Sequence, residues 1–131
     1  MTNKTIWVID DDPIYQIIVS KIIDRTMLFK KTLSFKNGLE ALNKLKEVIY
    51  KNEDIPSIIL LDINMPVMDG WEFMEELNNI HSQFTNEINI YIVSSSIAEE
   101  DKNKSKNFKT ILGYISKPVT VDDIVLIVSN Y

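Results

Sequence analysis

Five short apolar runs, each ending in polar residues and followed by a helical pattern, constrain this chain more than any other feature. The runs are "TIWVID", "KTLSF", "SIILLD", "INIYIV" and "LGYIS", of which the second is the weakest. Pro13 to about Thr26 reads as an apolar helix, with Asp12 as its cap and Pro13 at its first position. In "NGLEALNKLKEVIYKN", Leu39, Leu42, Leu45 and Ile49 fall at helical spacing, and Asn37 and Glu40 match a capping box. "DGWEFMEELNNIHSQF" predicts a third helix with the same box at Asp69 and Glu72. "SSSIAEEDKNKSKNF" predicts a polar fourth helix with few apolar anchors. "TVDDIVLIVSN" predicts a last helix, opened by Thr120 with Asp123 three residues on. Strands alternating with helices predict an α/β fold, an open parallel sheet with helices on both faces. The continuous apolar runs fit strands covered on both sides.

The totals narrow the classes open to such a fold. A chain of 131 residues fits one domain, residues 1–131, and 45% hydrophobic residues suffice for a core. A net charge of −5 argues against nucleic-acid binding and against a basic membrane patch. The absence of cysteine excludes disulfides, thiolate metal sites and cysteine nucleophiles. The single histidine, His81, cannot build a multi-histidine metal site and reads as a solvated residue late on the third helix. No apolar run approaches the roughly 18 residues of a membrane span, and the first residues are not a signal peptide, so a cytoplasmic location is expected.

In open parallel sheets, ligands sit beyond the carboxyl ends of the strands. Polar residues gather there: Asp10, Asp11 and Asp12 after the first run, Asp62 after the third, Ser94, Ser95 and Ser96 after the fourth, Lys117 and Pro118 after the fifth. Two carboxylates about 4 Å apart repel by roughly 4 kcal/mol at an effective dielectric near 20. Three at one rim therefore call for a cation, and an all-oxygen donor set favours a hard one, Mg²⁺ first. Carboxylate, Mg²⁺, lysine and hydroxyl together suit phosphoryl transfer, with Asp62 becoming a short-lived acyl phosphate.

"VIDDDP", "LLDINMPVMDG", "IVSS" and "GYISKP" resemble, in order and spacing, the signature segments of response-regulator receiver domains. The resemblance covers essentially the whole chain. It implies a doubly wound, flavodoxin-like five-stranded sheet of order 2-1-3-4-5. It also implies that Asp62 is the phospho-acceptor and that Asp10, Asp11, Asp62 and the Asn64 backbone carbonyl hold Mg²⁺. Lys117 would pair with the phosphoryl group, and Pro118 would follow it in a cis-type turn. Ser94 would be the switch hydroxyl, with Ser95 its competitor, and Tyr114 the switch aromatic. The implied function is that of a single-domain response regulator, a two-component or phosphorelay switch. It would take its phosphoryl group from a histidine kinase or histidine phosphotransferase. No output domain is expected within the chain, so signalling to an unknown output protein would run through contact, by a monomer or weak homodimer. Apart from its own phosphorylation and slow dephosphorylation, no enzymatic activity is expected.

Several of these residues have ordinary structural readings. Asp12 reads as a cap rather than a metal ligand, because Pro13 follows it, and Ser96, three residues before Glu99, reads as the cap of the fourth helix. Pro66, Asp69 and Gly70 read as turn and cap chemistry, and Trp7 and Trp71 as core. The first helix carries more apolar residues than one buried face needs. The surplus, Ile14, Tyr15 and Ile18, with Pro118 nearby, is expected to meet the phosphodonor partner. The last helix, with Ile124 to Val128, is expected to offer a dimer or output surface. Two rivals differ in class. An aspartate-nucleophile phosphatase of the haloacid dehalogenase type wants D-x-D-x-T after the first strand, but Ile14 stands where Thr is required. A phosphorylation-independent adaptor has no positive signal.

Overall fold

The computed structural model describes residues 4–96 and 98–129; Asn130, expected in the last helix, lies outside them. The elements run β1 (Thr5–Ile9), α1 (Pro13–Thr26), β2 (Lys31–Phe35), α2 (Gly38–Lys51) and β3 (Ile58–Leu61). They continue with α3 (Gly70–Ile80), β4 (Asn89–Ser94), α4 (Glu99–Ser105), β5 (Ile111–Ser116) and α5 (Val121–Ser129). All pairings are parallel, in the order β2-β1-β3-β4-β5.

Alternation along the strands splits the core into two layers. Ile6, Val8, Ile58, Leu60, Tyr91 and Val93 face α1 and α5, packing with Val19, Ile23, Ile124 and Ile127. Trp7, Ile9, Ile59, Leu61, Ile90 and Ile92 face the opposite way, onto Ala41, Leu42 and Leu45 of α2 and Phe73, Met74 and Leu77 of α3. With both faces covered, the central strands β1, β3 and β4 need apolar residues at nearly every position, which is why they read as almost unbroken runs.

Most helix starts follow their cap residues. The Asp12 carboxylate accepts from the Ile14 and Tyr15 amides at 3.0 and 3.2 Å. Asp69 and Glu72 form a complete capping box at 2.9 and 3.1 Å. Thr120 and Asp123 exchange the same pair of bonds at 3.1 and 2.9 Å. Asn37 accepts from the Glu40 amide, but the Glu40 carboxylate turns to the Lys36 amide, one residue before the position a box requires.

Four further expectations need correction. Ser96 does not cap α4: the cap position is Ala98, without a side-chain bond, and the Ser96 carbonyl instead accepts from the Ser94 hydroxyl at 2.7 Å. Leu39 lies outside the buried stripe of α2, which Ala41, Leu42, Leu45 and Val48 form. Helix α3 stops at Ile80 and tightens into a 3-10 turn at His81–Gln83. Trp71 packs against the core only at its margin, half-buried: its indole N–H donates to Asp101 at 3.2 Å, its ring stacks on Phe108, and Lys104 lies over it. Trp7, by contrast, is fully buried.

Candidate functional site

The carboxyl ends of β1, β3, β4 and β5 meet at one rim. Asp62 stands there because the ladder runs one residue past β3: its amide donates to the Ile9 carbonyl at 2.9 Å. The chain then loops back, the Gly70 amide donating to the Ile63 carbonyl at 2.8 Å and Gly38 donating to the Met68 carbonyl at 3.0 Å. A Cβ on Gly70 would lie 2.6 Å from the Asp62 carbonyl oxygen and 2.9 Å from the Ile63 Cα, so only glycine lets α3 start directly beneath Asp62. Val67 takes a left-handed φ of 71°, costly for a β-branched residue and not foreseeable from composition.

Asp10 is buried, 2% exposed. One of its oxygens accepts from the Asp12 amide at 2.9 Å, and the other accepts from the Lys117 ammonium at 2.8 Å. That ammonium also lies 4.0 Å from an Asp62 oxygen. Lys117 is set by its own backbone, its amide donating to the Ser94 carbonyl at 3.0 Å and its peptide bond to Pro118 being cis. Sequence reasoning missed Gln16, whose side-chain amide bonds the Asp10 and Phe35 carbonyls, each at 2.7 Å, and ties α1 to the ends of β1 and β2. A polar residue on an otherwise apolar helix face was the available signal.

Oxygens of Asp10, Asp11 and Asp62 all fall within 4.8 Å of one another. Burial first, and then the negative charge of Asp10, push the Asp62 carboxyl up from 3.8 to about 6, against the opposing pull of Lys117. Burial would lower the Lys117 ammonium, but its bond to Asp10 and the charges of Asp62, Asp10 and Asp11 together hold it above its ordinary value. One lysine thus leaves the three carboxylates under-compensated. An all-oxygen cluster of this kind fits a hard divalent cation.

The remaining predicted residues are dispersed around this centre. Ser94 is the last residue of β4, paired with Ser116, while Ser95 is exposed in the following loop. Asn64 is exposed in the loop after Asp62. Tyr114 is partly exposed on β5, its hydroxyl bonded to the Ser105 hydroxyl of α4. Ile14 and Ile18 are exposed on α1, 69% and 47%, as is Pro118, and Ile17 joins them. Tyr15 is the exception in that group. Its ring is half-buried with the Lys117 ammonium 4.4 Å from its centroid, because the first turn of α1 points it toward the rim rather than outward. Burial, then the Asp10 charge, drive its phenol well above the ordinary range.

Residues 6–129 match the family model for the response regulator receiver domain. The chain is 32% identical over 100 residues to a protein-glutamate methylesterase/protein-glutamine glutaminase of Treponema denticola, covering 76% of this chain and 24% of that protein. It thus spans about a quarter of the length of that relative. It is 30% identical over 115 residues to the chemotaxis protein CheY of Halobacterium salinarum, covering 88% of this chain and 85% of that one. The crystal structure of a two-component response regulator from Cytophaga hutchinsonii superposes with a TM-score of 0.87 at 30% identity, covering 99% of this chain and 97% of that chain. With its sheet order, its acidic rim and these relatives, the chain belongs to the family of response regulator receiver domains.

Proposed function

We propose that this receiver domain is a phosphorylation-dependent switch with Asp62 as phospho-acceptor. Receiver domains take phosphoryl groups from histidine kinases or phosphotransferases and bind Mg²⁺ through an acidic pocket. The observation that carries the reading is the convergence of Asp10, Asp11 and Asp62 within 4.8 Å, with Lys117 bonded among them. An Asp62 oxygen attacks the phosphorus of a partner's phosphohistidine. The P–O bond forms as the P–N bond breaks, and the imidazole nitrogen leaves with the electron pair. Lys117 offsets the charge on the phosphoryl oxygens. Asp10, Asp11, Asp62 and the Asn64 carbonyl would hold Mg²⁺, which supplies further charge neutralisation at those oxygens.

In the switch itself, the Ser94 hydroxyl leaves the Ser96 carbonyl for the phosphoryl group, and Tyr114 leaves Ser105 and turns inward. That alters the surface of α4, β5 and α5, through which an output protein is contacted. Ile14, Ile17 and Ile18 face the phosphodonor. The domain acts in the cytoplasm as a monomer or weak homodimer, without nucleic acid. Among the described residues, no helix is long and apolar enough to cross a membrane. The phosphatase alternative is disfavoured because Asp12, the second aspartate of its motif, has its carboxylate occupied capping α1.

Incubation with acetyl phosphate and Mg²⁺ tests the reading by intact mass. One phosphoryl adduct is expected on the wild type and none on Asp62→Ala. No adduct on the wild type, or one that survives the substitution, overturns it.

A further inference from the structure

We infer that Tyr15 is a positioning residue: the face of its ring fixes the Lys117 ammonium at the point from which it meets the phosphoryl group. The inference rests on the phosphoryl-acceptor reading of Asp62. A lysine ammonium is a compact charge on a flexible four-carbon stem, so a bond to one carboxylate leaves it considerable freedom. Here three contacts locate it: 2.8 Å to Asp10, 4.0 Å to Asp62 and 4.4 Å to the Tyr15 centroid. The last lies within the range where a ring face attracts a cation, and Lys117 is only 21% exposed, so water screens the attraction little.

The ring itself is held firmly. Pro13 and the Asp12 cap fix the first turn of α1, the Tyr15 amide donating into that cap. The void between the ring and Val8, Val19, Leu60 and Val93, which Asp10 and Asp62 also border, is too tight to admit water. The buried hydroxyl has no hydrogen-bond partner among the described residues. Tyr15 also packs against the apolar cluster that includes Val119, two residues past Lys117. The ring face, rather than the hydroxyl, is the part that acts on Lys117.

The full chain is compared with Tyr15→Phe, which keeps the face, and Tyr15→Leu, which keeps bulk without it. Tyr15→Met replaces the leucine variant if that chain melts below the assay temperature. The proton resonance of the Lys117 ε-methylene is expected upfield in the wild type and in Tyr15→Phe, and at the ordinary lysine position in Tyr15→Leu. Half-saturation by beryllofluoride with Mg²⁺, and the rate with acetyl phosphate, are expected to worsen about three- to tenfold in Tyr15→Leu and by less than about twofold in Tyr15→Phe. A Lys117 resonance unmoved in Tyr15→Leu, an unchanged half-saturation there, or equal impairment in Tyr15→Phe overturns the inference. A wild type without any adduct overturns the phosphoryl-acceptor reading instead, and the lysine resonance still decides the contact.

Discussion

Replacing Asp62 by asparagine is expected to stabilise the metal-free protein. The carboxyl is pushed from 3.8 to about 6 by burial and by Asp10, with its side chain only 12% exposed. At about 1.4 kcal/mol per unit, that displacement corresponds to about 3 kcal/mol. The sign follows from proton counting. Between about pH 4 and 6 the folded state binds a proton that the unfolded state has already lost, so stability falls as pH rises through this window and is then flat. Asparagine keeps the shape without the titration. Urea unfolding followed by circular dichroism in EDTA is therefore expected to show Asp62→Asn matching the wild type below about pH 4. By about pH 8 the variant should be about 3 kcal/mol more stable. Added Mg²⁺ should narrow the gap by stabilising the wild type alone. An asparagine variant that is equal or less stable at about pH 8, or a difference that ignores pH, refutes the electrostatic account of the rim.

Other substitutions probe separate parts of the same design. Lys117→Met leaves Asp10 buried without its cation and should cost about 3 kcal/mol in metal-free urea unfolding at about pH 8; a loss under about 1 kcal/mol counts against the pair. Gly70→Ala drives a Cβ into the Asp62 carbonyl and should destabilise by about 1–3 kcal/mol, visible as a lower urea midpoint, whereas a neutral result would mean that the loop yields. Trp71→Phe removes the bond to Asp101, worth about 1 kcal/mol, and should speed amide hydrogen exchange in α4 several-fold while leaving β1 and β3 unchanged. Protection of α4 at the wild-type level would show that Trp71 does not hold it.

The fold was legible because local signals agreed with one another. Buried runs are followed by a residue that caps the next helix, three residues on at Ile9 to Asp12 and after a loop at Leu61 to Asp69. The convergence of Asp62, Asp10, Asp11 and Lys117 was legible because strand ends in a parallel sheet share one rim. Their approach distances were beyond a linear reading. What escaped depended on contacts that topology alone creates. Tyr15 looked like surplus surface because α1 is apolar nearly all round, so the pattern cannot say which side faces Lys117, which lies far along the chain. Ser96 had the right spacing for a cap, but the chain enters α4 two residues later, after the Ser94 hydroxyl has taken the Ser96 carbonyl. Trp71 looked like core because nothing in its own neighbourhood shows that Asp101 and Phe108 will meet it across the α3–α4 gap.

The sheet order has a consequence for solubility at high concentration. β2 and β5 are its two outer strands, each with one row of backbone groups that no neighbouring strand of the sheet engages. Such rows invite pairing with another copy. Lysines flank both: Lys30, Lys31 and Lys36 around the first, Lys109 ahead of the second. These lysines stand as the posts of a fence against edge-to-edge stacking, whereas Lys117, just past the end of β5, is drawn into the rim by Asp10 and leaves that edge to Lys109.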